Sequence, residues 1–146
     1  MNYELYMAEA IAEARTGAEQ GEVPSGAVAV LDDAMVARAH DRILGDDDPT
    51  AHAVLLTLQA TARKLGARRL TEVTVFATRE PCTMCVGALV EAQVGALVYA
   101  LPDEQRGAAG SVIQLAQHPD LPHRISVVSG VGEEEARDLE GASATA

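Results

Sequence analysis

The sequence predicts an α/β fold: a mixed β-sheet with helices on both faces. Three observations carry that expectation. Short apolar runs alternate along the chain with helix-length amphipathic segments. The first two strand-like runs are separated only by a tight turn, which makes them an antiparallel hairpin. The later strand–helix–strand units have short turns, so each helix must be a crossover between parallel strands.

The elements follow in order. Residues 3–19 place Leu5, Met7, Ile11 and Ala14 at helical spacing among acidic positions, and "GEVPSG" breaks the pattern. "AVAVL" (27–31) reads as a buried strand, "DDA" as a tight turn and "MVARAH" (35–40) as the returning strand. After the loop "GDDDP", a helix is expected from Ala51 to Leu65, capped by Thr50 or Asp48 and stopped by Gly66. "VTVFAT" (73–78) is rich in β-branched residues and reads as a strand. "PCTMCVGALVEAQ" (81–93) carries an apolar face and opens on Pro81, a residue suited to the first helical position. "ALVYA" (96–100) and "ISVVSG" (125–130) are further strands, and "EEEARDLE" (133–140) is a short acidic helix. The expected organisation is one domain over residues 1–140, followed by "GASATA" (141–146) as a flexible tail.

Bulk properties narrow the classes. A chain of 146 residues, 48% hydrophobic, can bury a core without disulfide staples. That core is aliphatic, since aromatic residues make up 3% and Trp is absent. No apolar run approaches the roughly 18–20 residues a membrane helix requires, and the acidic start "MNYELYMAEA" is unlike a secretory signal. Both cysteines lie in one C-x-x-C motif, which suits metal or redox use in a reducing, cytoplasmic compartment. The net charge of −11 opposes a nonspecific grip on nucleic acid. Residues 32–48 hold six Asp against two Arg, and residues 131–146 hold four Glu and one Asp against one Arg. The one basic cluster, Arg63, Lys64, Arg68 and Arg69, reads as a solvated helix end favoured by the helix dipole.

The chemistry-bearing residues are His52, Cys82 and Cys85. One imidazole and two thiolates leave the fourth tetrahedral position of Zn2+ open to a water, whose pKa the metal lowers. Both ligand segments are expected at helix starts, where the dipole favours thiolates. Two plainer readings stand beside this one: a C-x-x-C redox pair, or a four-ligand structural zinc completed by His118 or His123. The full pattern, a His followed thirty positions on by P-C-x-x-C, is more specific than any of its parts. It matches the zinc deaminase signature H-x-E…P-C-x-x-C except at the glutamate, where Val54 stands.

On these residues the chain resembles the cytidine deaminase-like superfamily and, within it, the bacterial tRNA adenosine deaminases and related nucleoside deaminases. "EVPSGAVAV" (22–30), "DPTAHA" (48–53), "EPCTMCVGALVEAQVGALVYA" (80–100), "GAAGS" (107–111) and "LPHR" (121–124) carry the resemblance, over about residues 3–130. It implies a three-layer α/β/α sandwich around a five-stranded mixed sheet, zinc held by His52, Cys82 and Cys85, and a homodimer or a heterodimer with a related subunit. It further implies hydrolytic deamination of a nucleobase, nucleoside or similar N-heterocycle by zinc-activated water. Asp41, Ala53, Pro81 and Cys82 fall at substrate-pocket positions, with the Ala53 and Cys82 amides facing the base or the water.

Three departures qualify that implication. Val54 occupies the position of the proton-shuttling glutamate, a function worth at least the roughly 10²–10⁴-fold of general acid–base catalysis, so turnover is expected to be impaired. Asp41 replaces a family asparagine that contacts the nucleoside, which suggests a relocated carboxylate. The C-terminus lacks the aromatic and basic residues of the tRNA enzymes, and Glu104 and Gln105 occupy a loop that is basic in them. The sequence thus argues against tRNA as the substrate. The alternative to an impaired enzyme is a zinc-bearing pseudoenzyme acting as a binding or partner subunit; the non-catalytic subunit of the eukaryotic tRNA adenosine deaminase also has valine at this position.

Overall fold

The computed structural model describes residues 1–145. Its elements are α1 (Tyr3–Glu19), β1 (Gly26–Leu31), β2 (Ala34–His40), α2 (Ala53–Leu65), β3 (Thr74–Arg79), α3 (Thr83–Glu91), β4 (Ala96–Leu101), β5 (Ser126–Ser129) and α4 (Glu133–Thr145). The five strands form one mixed sheet in the order β2-β1-β3-β4-β5. β1 pairs antiparallel with both β2 and β3, whereas β3–β4 and β4–β5 are parallel. The expected hairpin and parallel crossovers are both present.

Strand alternation divides the core into two layers. Val28, Val30, Phe76 and Val98 point to one face and are covered by Met7 and Ile11 of α1 and Ala136 of α4. Ala27, Ala29, Val75 and Leu97 point to the other, under Leu58 of α2 and Leu89 of α3. The result is the expected α/β/α sandwich. Tyr6 pins α1 to the hairpin, its hydroxyl donating to the Asp33 carbonyl (2.6 Å) and carboxylate (2.8 Å). Asp32 and Asp33 turn the chain with φ of 51° and 59°, a region that a short polar side chain tolerates. Among the described residues no helix is long and apolar enough to cross a membrane.

The helix boundaries depart from expectation in an informative way. α2 begins at Ala53 rather than Ala51, and neither Thr50 nor Asp48 caps it; the N-cap is His52, which makes no side-chain cap bond. Asp48 is spent locally, accepting from the Thr50 amide and hydroxyl. α3 begins at Thr83 rather than Pro81 and ends at Glu91, and Cys82 is its N-cap, again without a side-chain cap bond. α2 does stop at Gly66, whose φ of 61° closes the helix in a left-handed cap. α4 runs past the end expected at residue 140 and continues through Thr145, while Ala146 lies outside the described residues. Gly141 weakens a helix by about 1 kcal/mol, but Ala142 and Ala144 are the best helix formers there are.

Several loops meet at one end of the sheet: the segment before β1 and those that follow β2, β3 and β4. The Asp41 amide donates to the Ser25 carbonyl (3.1 Å) and the Glu80 amide to the Leu101 carbonyl (2.8 Å). The carboxyl ends of parallel strands are the usual binding side of an open α/β sheet.

Candidate metal centre and pocket

His52 and Cys82 are both helix N-caps, and neither side chain is used for capping. Each is therefore free to point at a shared centre. The C-x-x-C spacing places Cys85 at the third position of α3, beside the cap residue whose thiol it joins. His52 Nδ1 lies 3.5 Å from Cys82 Sγ and 3.6 Å from Cys85 Sγ. All three ligand atoms fall within 4.8 Å of one another. Zn–S bonds of about 2.3 Å and a Zn–N bond of about 2.0–2.1 Å at tetrahedral angles give an S···N edge of about 3.6 Å. The residues thus fit a zinc ion in both donor chemistry and spacing.

The two thiols shift each other's ionisation in opposite directions. Cys82 is held down to about 4, foremost by the Cys85 S–H, with help from the Cys85 and Met84 amides and from His52, and against the effect of burial. Cys85 is pushed up by its bond to Cys82, by burial and by the Cys82 charge. A divalent cation between the sulfurs favours the second ionisation.

His118 and His123 do not join this group. His118 Nδ1 accepts the Asp120 amide (3.1 Å), and His123 Nε2 bonds the Val94 carbonyl (2.7 Å). Among the described residues three ligands rather than four come together, as an open site requires.

A cavity of about 120 Å³ opens beside the triad, walled by Asp41, His52, Val54, Glu80, Pro81 and Cys82 among others. Val54 is 5% exposed and contributes an apolar wall next to the ligands. Asp41 is also buried, and its Oδ1 accepts the Ala53 amide at 2.7 Å. The Ala53 N–H, expected to face a ligand, is therefore occupied by Asp41. Burial is the main influence raising the Asp41 carboxyl above the usual aspartate range, offset by the Ala53 N–H and by His52. The Pro81 carbonyl likewise has a partner, the Ala108 amide at 2.9 Å.

Glu80 holds the loop after β4 against the site. Its Oε1 accepts from the Asp103 amide (3.1 Å) and the Ser111 hydroxyl, its Oε2 from the Ala109 (2.9 Å) and Ser111 (3.1 Å) amides. Both oxygens are thus engaged, which suits a structural tie rather than proton transfer. Sequence reasoning did not foresee this tie, nor the place of Arg79 and Arg106 in the cavity wall. The one hint was the small-residue run "GAAGS": Gly107 packs so closely that a Cβ there would stand 2.3 Å from Glu80 Cδ.

An α/β/α sandwich with a His-Cys-Cys group at two converging helix starts is the cytidine deaminase-like class of fold and site. Residues 1–128 match the profile of the MafB19-like deaminases, and the chain belongs to that family. It is 42% identical over 132 residues to the tRNA-specific adenosine deaminase of Bacillus subtilis, covering 90% of this chain and 82% of that one. A structure from biochemical and structural studies of A-to-I editing by tRNA:A34 deaminases at the wobble position of transfer RNA superposes with a TM-score of 0.89 at 36% identity. It covers 92% of this chain and 98% of its own. The guanine deaminase of Nitrosomonas europaea shares the fold, with a TM-score of 0.82 at 22% identity over 98% of this chain and 85% of that one.

Proposed function

We propose that the protein is a zinc-binding member of the deaminase family whose pocket receives an amine-bearing N-heterocycle of the nucleobase or nucleoside class, with hydrolysis slowed by Val54. The observation that carries this reading is the buried Val54 side chain in the cavity wall beside the metal group. When bound, zinc supplies Lewis acidity toward water at its open position. His52, Cys82 and Cys85 hold and orient it. Val54 excludes solvent but can neither take nor give a proton. The Cys82 amide is a backbone donor open to a ligand at this wall, whereas Ala53 donates to Asp41.

The relatives' names bring adenosine in tRNA into consideration as the substrate. The net charge of −11 and the acidic first turn of α4 favour a small molecule instead. The alternative is a pseudoenzyme that uses the same pocket for binding, as one subunit of a dimer. Free thiols suit either role in the cytoplasm.

Metal analysis combined with an ammonia-release panel tests the proposal. The panel holds free bases, nucleosides and a tRNA anticodon stem-loop, each incubated with zinc-loaded protein. About one zinc per chain and slow release from a small heterocycle are expected. Purified protein that cannot hold zinc would overturn the reading. Turnover confined to the stem-loop would move the substrate to RNA. Binding without release would favour the pseudoenzyme.

A further inference from the structure

We propose that Asp41 fixes the hydrogen-bond polarity of the pocket, so that it selects a heterocycle presenting an N–H donor to the free carboxylate oxygen. This rests on reading the cavity as a nucleobase site, and it adds which edge of the base is recognised.

Asp41 is 7% exposed and lines the cavity. Its Oδ1 is committed to the Ala53 amide, the first N–H of α2. That bond stands in for the cap that His52 does not supply, and it fixes the carboxylate plane. Oδ2 has no hydrogen-bond partner among the described residues. It is not an entombed atom either, because no buried side-chain oxygen or nitrogen there lacks a partner. With the residue buried and lining the cavity, the opening that reaches Oδ2 is the cavity itself.

An ionised carboxylate only accepts hydrogen bonds. The surroundings do not satisfy it. Asp41 belongs to no ion pair among the described residues, and the Arg79 guanidinium on the same cavity is held by Glu140 at 2.8 Å. Glu80 has both oxygens engaged, so Asp41 is the buried carboxylate left with an acceptor to offer. A ligand with an exocyclic amine or ring N–H on the facing edge completes this oxygen. One with a bare ring nitrogen there sets two lone pairs against each other and leaves the oxygen without a donor. The cavity of about 120 Å³ is smaller than the roughly 300–1,000 Å³ of clefts for drug-sized ligands. It therefore admits a single ring system, and one misplaced edge matters.

Asp41→Asn is the discriminating variant. Its Oδ1 can still accept from Ala53, so only the atom facing the cavity changes, from acceptor to donor. The test is calorimetric titration of zinc-loaded wild type and Asp41→Asn with two matched pairs, adenine against purine and 2,4-diaminopyrimidine against pyrimidine. Wild type is expected to prefer the amine-bearing member of at least one pair by about tenfold or more. Asp41→Asn is expected to lose that preference or reverse it, with zinc content unchanged. Equal preference in both proteins would overturn the polarity assignment while leaving the pocket reading intact. No binding of any probe to either zinc-loaded protein would overturn both. Should Asp41→Asn fold poorly, Asp41→Ala serves: with the carboxylate gone it should lose the preference, and an undiminished preference would again contradict the assignment.

Discussion

Glu80→Gln isolates the tie between the metal-site segment and the loop after β4. Glu80 is 2% exposed and accepts four hydrogen bonds from Asp103, Ala109 and Ser111. Glutamine preserves the shape but replaces one acceptor oxygen with an NH2 group. With that group at the Oε1 position, the Ser111 hydroxyl can turn to accept from it, and only the Asp103 amide is orphaned. With it at Oε2, the Ala109 and Ser111 amides both lose their acceptor. The first arrangement is the cheaper, and one orphaned, part-buried N–H costs up to about 1–3 kcal/mol. For a domain of this size each kcal/mol lowers Tm by about 2–4 °C, so a fall of about 2–12 °C is expected. Thermal unfolding followed by circular dichroism measures the shift. Hydrogen exchange should show amides 103–111 losing protection ahead of the sheet. A variant as stable as wild type, with that loop equally protected, would refute the assignment of Glu80 as its anchor.

Other outcomes follow from the same geometry. Gly107→Ala puts a Cβ within 2.5 Å of the Asp103 carbonyl as well as against Glu80, so it should destabilise by about 1–3 kcal/mol in a denaturant titration. Cys85→Ser should lower zinc affinity on the order of 100-fold or more, read by competition with a chromophoric chelator. Chelation of the wild type should lower its Tm, because a ligand that binds only the folded state stabilises it. The Glu22 carboxyl is held below its ordinary value, chiefly by the Leu44 amide, then by that of Gly45 and by Arg42 and His40, against burial. Its folded pKa lies below the unfolded one, so its contribution is present above the unfolded value and is lost as pH falls through the folded one. Glu22→Gln should accordingly be less stable than wild type at neutral pH, and the gap in Tm should close on acidification below the usual glutamate range.

Much of the fold was legible because its signals are local. The continuous apolar runs of β1, β3 and β4 marked the buried strands, and "DDA" and Gly66 marked a turn and a helix stop. The metal group was legible because its spacing is stereotyped. What escaped depends on partners distant in sequence. The start of α2 was misplaced because His52, a poor cap by type, takes the cap position and turns its ring to Cys82 and Cys85. The acceptor for the first amide of α2 is Asp41, twelve residues upstream. The role of Glu80 lies in donors 23 to 31 residues downstream, beyond any periodicity. α4 outran its expected end because packing of Ala136 and Leu139 against the α1 face of the sheet supports the helix.

The central claim is that Val54 separates metal binding from proton transfer. Ammonia release by zinc-loaded wild type and Val54→Glu, at matched zinc content and on the same substrate panel, tests it most directly. Release by Val54→Glu is expected to exceed that of wild type by about 10²-fold or more, with zinc occupancy the same in both. Wild type as fast as Val54→Glu at equal zinc would contradict it.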